Sequence, residues 1–430
     1  MLVTPKNKIV TSDYFCILGN ISFCRPTTHF KCRENLAMHL EKITKTLPKF
    51  IEQQHDIYIA ENIHSTKSKK HLVSGKRPTA SDTSYQTNDY LCLNNNAYIK
   101  EKHIDAIRAN TESMLMSGVY TAEAEDSSAF EKKLAKLTGF EECVVSQSGY
   151  TANLSLLQAI CTKDTNVYVD FFAHASLWEG ARIAGAMVHP FMHNNIRHLK
   201  RQIQKNGPGI ILVDSIYSTL GTIAPLVDLV SMAYEYDCAL VVDESHSLGT
   251  HGPKGAGLVA ELGLTEHVDY ITVSLAKTFA YRAGAILSNK KTAHCLPFVA
   301  FPAIFSSMLL PYETERLSAT VDVIKSADSA RRSLFSNSDY LRNQLRNLGL
   351  SIRSESQIIA LETGDAENTE IVRDFLESKG VFGSIFCTPA TPKGKNIIRF
   401  SVTSEHTLED LDRVVQACKE ATENKEFYFL

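Results

Sequence analysis

Residues 238–277 read CALVVDESHSLGTHGPKGAGLVAELGLTEHVDYITVSLAK. Two short apolar runs bracket this stretch, Cys238–Asp243 and Tyr270–Ser274. Each is Val/Ile/Leu-rich, as strands buried on both faces are, and each ends on residues that carry chemistry. The first delivers Asp243 and, one turn later, His246; the second delivers Lys277. A lysine just past a buried strand, amid small and apolar residues, tends to lose its proton and can act as a Schiff-base amine.

Moving outward, similar runs recur at Asn166–Phe172, Gly209–Ser215 and Ala283–Leu287, with Ala186–Met192 a further apolar run. Helical patterns separate them at Leu154–Ile160, Leu177–Ala186, Leu199–Gln204 and Leu226–Tyr236. Strands alternating with helices predict an α/β protein with a mostly parallel sheet covered on both faces. After Pro311 the texture changes. Glu313–Leu348 is charged and helical, Ser356–Glu362 and Asn396–Val402 are strand-like, and Leu408–Asn424 is an amphipathic helix, the pattern of a smaller α+β domain. Upstream, a helical pattern begins at Met38, with Leu40, Ile43, Leu47, Ile51 and Ile57 on one face, and Ser65–Ser84 is polar. The expected division is 1–37, an extension of poor order; 38–95, helix and arm; 96–311, large domain; and 312–430, small domain.

Open α/β sheets bind ligands at the carboxyl ends of their strands. There the sequence places Ser148-Gly149-Tyr150, a turn opening a helix and suited to an anion. It also places His174 after VYVDFF, where an imidazole can stack on a flat ring. Arg399 lies inside a strand, where a buried guanidinium seeks a carboxylate. Asp243 is suited to keep a pyridine nitrogen protonated. Together these are the requirements of pyridoxal phosphate chemistry. Asp243 and His246 with His251, or His189 with His193, are weaker readings as metal ligands, and no metal is expected. A serine hydrolase is excluded because no G-x-S-x-G elbow occurs.

The 430 residues carry 45 Lys plus Arg against 48 Asp plus Glu, a formal charge of −3 that gives no overall pull toward nucleic acid. None of the 10 cysteines forms a C-x-x-C pair, and a reducing cytoplasm fits them. No stretch reads as a signal peptide or membrane span; Leu296–Pro311, apolar but interrupted by prolines, reads as buried interior or interface.

DESHSLGTHGPKGAG (243–257) resembles the D-E-[AS]-H-S-x-G-x-x-G-x-x-G-x-G signature of the α-oxoamine synthase branch of fold-type I pyridoxal phosphate enzymes. Within that branch, SQSGYTANLSLLQAIC, VYVDFFAHASLWEGAR, DSIYSTLGTIAPL and SLAKTFAYRAGAI resemble the CqsA-type quorum-sensing autoinducer synthases. The resemblance covers roughly residues 38–420. It departs at Tyr150, where close relatives carry tryptophan; Arg282 stands where other members of the wider branch have small residues but resembles the CqsA type.

The resemblance implies a seven-stranded sheet and assigns roles. Lys277 is the Schiff-base and proton-shuttling lysine, and Asp243 pairs with the pyridine nitrogen. His246 and Ser218 approach the ring oxygen, and His174 stacks on the ring. Ser148, Gly149, Tyr150 and Ser274 hold the phosphate, which Ser307 reaches from the neighbouring subunit of a homodimer. Arg399, with Asn88 beside it, binds the amino-acid carboxylate. The activity implied is decarboxylating condensation of a medium-chain acyl-CoA with 2-aminobutyrate or S-adenosylmethionine, giving an α-aminoketone precursor of a signal. The alternatives are 8-amino-7-oxononanoate synthase, glycine C-acetyltransferase, or a catalytically inactive partner subunit.

Overall fold

A computed structural model describes residues 46–109, 116–120, 128–424 and 426–430. The expected extension 1–37 and the start of the helical pattern at Met38 lie outside the described residues. Two compact units result, one ending at Glu61 and the other spanning Asn62–Leu430. The described part of the first contains the α-helix Lys49–Ile59, which starts directly after Pro48. A proline tolerates that place because the first helical amides need no intrahelical acceptor.

The second unit holds twelve strands among its described residues: β1 (Thr83–Ser84), β2 (Glu142–Ser146), β3 (Asn166–Asp170), β4 (Met187–Phe191), β5 (Gly209–Asp214), β6 (Ala239–Asp243), β7 (Tyr270–Ser274), β8 (Gly284–Ser288), β9 (Ile358–Gly364), β10 (Val381–Phe382), β11 (Ser384–Phe386) and β12 (Asn396–Ser401). Seven of them form one sheet in the order β2-β8-β7-β6-β5-β3-β4. Only β8 runs against the others, pairing antiparallel with β2 and β7. The mostly parallel seven-stranded sheet is therefore present.

Strand alternation splits its side chains between two cores. Val167, Val169, Ile210, Leu212 and Val241 join one apolar cluster. Their neighbours Tyr168, Ile211, Val213, Leu240 and Val242 join the other. Both faces are thus buried, which is why the strands read as unbroken apolar runs. From β3 the chain steps outward to β4 and then returns to place β5 on the other side of β3. This reversal opens a crevice at the strands' carboxyl ends.

After Pro311, β11-β12-β9 form an antiparallel sheet. The expected long helix over Glu313–Leu348 is two helices, Pro311–Lys325 and Asp328–Asn347, broken at Ser326-Ala327. At the break, the buried Arg331 reaches back to the Ile324 carbonyl at 2.7 Å and also pairs with Asp328 at 2.5 Å. Of the two expectations for Leu296–Pro311, interior or interface, interior holds for only part of the run. Leu296, Ala300 and Leu309 are buried, but Phe301 is 62% and Phe305 77% exposed, leaving an apolar outer face.

Candidate active site

Five β-strands deliver the site. Beyond β2, Ser148 caps the helix Gly149–Ile160 in a reciprocal capping box with Thr151. Gly149 and Tyr150 then occupy the first two helical positions, whose N–H groups have no intrahelical acceptor. Gly149 allows this helix start to press on β7, since a Cβ there would lie 2.5 Å from Ser274 Cβ. Ser274 is held in turn by its own N–H, which donates to Ser245 Oγ at 2.7 Å.

One turn into the same helix, Asn153 reaches the end of β6. Its Nδ2 donates to Asp243 Oδ2 at 2.8 Å and to Ser176 Oγ at 2.8 Å, while Thr272 donates to its Oδ1 at 2.6 Å. Asp243 Oδ1 accepts the Ser245 N–H at 2.9 Å. The buried carboxylate is thus fixed in orientation by two neutral donors. Beyond β3, His174 caps the helix Ala175–Ile183. Its Nδ1 accepts the Ser176 N–H at 3.3 Å, which leaves the imidazole proton on Nε2. Burial is the main cause that lowers the His174 pKa, with Lys277 adding to it and Asp243 opposing it. The His174 backbone N–H donates to Asp214 Oδ1 at 3.1 Å. Burial first, and then Asp243, raise the Asp214 carboxyl well above the usual range.

Lys277 follows β7. Burial is the main cause that lowers its pKa, Arg399 adds to it, and Asp243 opposes it. Among the described residues its ammonium has no ion-pair partner. Arg399, in β12, donates to the Ser218 carbonyl at 2.8 Å and to Asn88 Oδ1 at 2.9 Å, and its guanidinium lies 4.5 Å from the Phe386 ring centroid. Its Nε is buried without a partner. Asn88 also lines a cavity of about 520 Å³ with Ala276, the neighbour of Lys277, and with Arg282. The fully buried His246 sits 2.7 Å from the Tyr90 hydroxyl through Nδ1.

The predicted residues therefore occupy one end of the sheet, with two particulars. Ser218 meets Arg399 through its backbone carbonyl. Ser307 is exposed and bridges to Ser117, and its carbonyl accepts Gln147 Nε2 at 2.8 Å. Tyr150 is exposed and edge-on to His174, with ring centroids 6.5 Å apart. Sequence reasoning passed over Asn153, Ser245, Tyr90 and Gln357. Asn153 carried a usable signal, since it lies four residues after Gly149 and so shares its helix face.

The weaker metal readings draw no support from these contacts. His189 pairs with Asn166, while His193 lies between Asp170 and Thr222. No cluster of three metal-ligating side chains occurs among the described residues. Pyridoxal phosphate, by contrast, fits the residues present. A helix start with free amides suits its phosphate, an oriented carboxylate its ring nitrogen, and an unpaired lysine its aldehyde. The unsatisfied Arg399 Nε suits the carboxylate of an amino acid.

The comparisons agree. The family model for class I and II aminotransferases matches residues 88–418. The chain is 57% identical over 386 residues to a CAI-1 autoinducer synthase of Vibrio campbellii, covering 90% of this chain and 98% of that one. It is 30% identical to a serine palmitoyltransferase of Bacteriovorax stolpii, covering 84% and 86% of the two chains. It is likewise 30% identical to an 8-amino-7-oxononanoate synthase of Petrotoga mobilis, covering 76% and 84%. The solved Sphingomonas wittichii serine palmitoyltransferase shares the fold, with a TM-score of 0.76 at 23% identity over 88% of this chain and 98% of that one. The chain belongs to the class I and II aminotransferase family of fold-type I, pyridoxal phosphate-dependent enzymes, in the α-oxoamine synthase branch with the autoinducer synthases.

Proposed function

We propose that the enzyme condenses a medium-chain acyl-CoA with 2-aminobutyrate or S-adenosylmethionine, with loss of carbon dioxide, to an α-aminoketone precursor of a quorum-sensing signal. The 57% identity to the Vibrio campbellii synthase across nearly its whole length carries this reading. Pyridoxal phosphate, when bound, supplies an aldehyde for the substrate amine and an electron-poor ring that stabilises negative charge at Cα.

The chain's own residues do the rest. Arg399, already presenting a fork toward Asn88 and Ser218, holds the substrate carboxylate and so orients the Cα–H bond. Lys277, poorer as an ammonium in this setting, takes and returns a proton at Nζ. Asp243, immobilised by Asn153 and Ser245, holds a proton on the ring nitrogen. His174 would stack on the ring, and the His246 imidazole would approach its oxygen. The Gly149 and Tyr150 amides, with the Ser148 and Ser274 hydroxyls, take the phosphate. The net reaction forms one C–C bond, breaks the thioester C–S bond and the substrate's Cα–carboxylate bond, and with one proton taken up releases coenzyme A as its thiol and carbon dioxide.

The active unit in this reading is a homodimer. Its support is the exposed apolar face at Phe298, Val299, Phe301 and Phe305, which lies beside Ser307 in the sequence.

A donor panel tests the activity. Purified enzyme is offered octanoyl-, acetyl- and pimeloyl-CoA, each with 2-aminobutyrate, S-adenosylmethionine, glycine or alanine. Preferred turnover of octanoyl-CoA with either of the first two amino donors is expected. Preference for glycine, or for pimeloyl-CoA with alanine, assigns the enzyme to another activity of the branch.

A further inference from the structure

Tyr90 lies in the NDYL stretch beside Asn88 and is fully buried. Its hydroxyl is 2.7 Å from His246 Nδ1 and 3.4 Å from Asn88 Oδ1. Burial is the main reason the His246 imidazole resists protonation, and Lys277, Arg399 and His174 act in the same sense. It therefore carries a single proton, on one nitrogen or the other. Burial likewise keeps the Tyr90 hydroxyl protonated. The distant Asn88 oxygen already accepts from the Arg399 guanidinium at 2.9 Å. The short contact is the better placed of the two to receive the Tyr90 proton.

We infer that Tyr90 is a positioning residue whose hydroxyl donates to His246 Nδ1 and fixes the imidazole with its proton on Nε2. Gln357, also fully buried, steadies the same histidine by donating to its backbone carbonyl at 2.7 Å. The residue is anchored at two points, its ring by Tyr90 and its backbone by Gln357, and Nε2–H remains as the donor for the cofactor's ring oxygen. This inference rests on the proposed placement of His246 against that oxygen.

The test compares three purified holoenzymes: Tyr90→Phe, His246→Gln and Tyr85→Phe. Tyr85 is the control, a buried tyrosine whose hydroxyl donates to the Asp410 carbonyl at 3.0 Å. Each is read by the absorbance of bound pyridoxal phosphate and by cofactor affinity. Tyr90→Phe and His246→Gln should shift the balance of the cofactor's absorbance bands in the same direction, while Tyr85→Phe should not. Tyr90→Phe should weaken cofactor binding about fivefold, the effect of one neutral hydrogen bond. A shift in His246→Gln without one in Tyr90→Phe overturns the inference and keeps the placement of His246. No shift in either overturns both. Should Tyr90→Phe not fold, ¹⁵N-imidazole NMR of the wild-type protein decides. With the His246 resonances assigned by difference from His246→Gln, a protonated Nε2 is expected, and a protonated Nδ1 overturns the inference.

Discussion

Lys277, Asp243 and Arg399 stand out in the sequence because a charged group is costly where they lie, at or inside apolar strands. Asn153, Ser245 and Tyr90 do not stand out. They are neutral, ordinary in composition, and act across sequence separations of 90, 29 and 156 residues on Asp243, Ser274 and His246. Only the fold brings those partners together. At this scale Lys277→Ala should lose the absorbance of lysine-bound cofactor and about 10³-fold or more in turnover; retention of that absorbance would remove Lys277 from its role.

Glu244 supplies a pH test. Its Oε1 accepts from Val259 N–H and Ser247 Oγ, while Oε2 is buried without a partner among the described residues. Burial raises its pKa from 4.5 to about 7. A raised carboxyl binds its proton more tightly when folded, so its contribution is fully present below pH 4.5 and is lost as pH rises toward about 7. The loss across that window is on the order of 3 kcal/mol. Urea titrations of Glu244→Gln should lack this component of the decline, and an unchanged pH profile would contradict the assignment.

At the scale of elements, the meeting of the helix Gly149–Ile160 with β7 is the most constrained contact of the site. A methyl at residue 149 would lie 2.5 Å from Ser274 Cβ and 2.7 Å from its Cα. Backbone cannot yield as a flexible side chain can. Gly149→Ala should therefore cost roughly 1–3 kcal/mol of stability, as overpacking does, and lower cofactor affinity together with it. Equilibrium unfolding and pyridoxal phosphate titration of the same sample check both. Six of the seven strands of the large sheet were legible as apolar runs, the central ones because burial on both faces demands continuous Val, Ile and Leu; the edge strand β2, only partly buried, was not. The reversed direction of β8 was not legible, since an antiparallel strand buried in this way has the same composition. Nor was the break at Ser326-Ala327, where helical composition continues and the turn is stabilised by Arg331 contacts.

At the scale of the whole molecule, the apolar run at Leu296–Pro311 looked equally fit for a core or an interface. Composition cannot distinguish the two, because both bury the same side chains. The exposure of Phe301 and Phe305 removes the core reading for these residues. Phe305→Glu is expected to shift a homodimer toward monomer in light scattering after gel filtration and to lower activity in parallel. A variant that keeps the wild-type mass would exclude Phe305 from the contact. Beyond this face, no helix among the described residues is long and apolar enough to cross a membrane.

The chemistry proposed for the enzyme is a decarboxylating condensation centred on Lys277, Asp243 and Arg399. The most direct measurement incubates the holoenzyme with octanoyl-CoA and 2-aminobutyrate labelled with ¹³C in its carboxylate, then follows the label and the product mass. Labelled carbon dioxide, free coenzyme A and an unlabelled α-aminoketone containing the full acyl chain are expected. Label retained in an acylated product, or coenzyme A released without carbon–carbon bond formation, would contradict that chemistry.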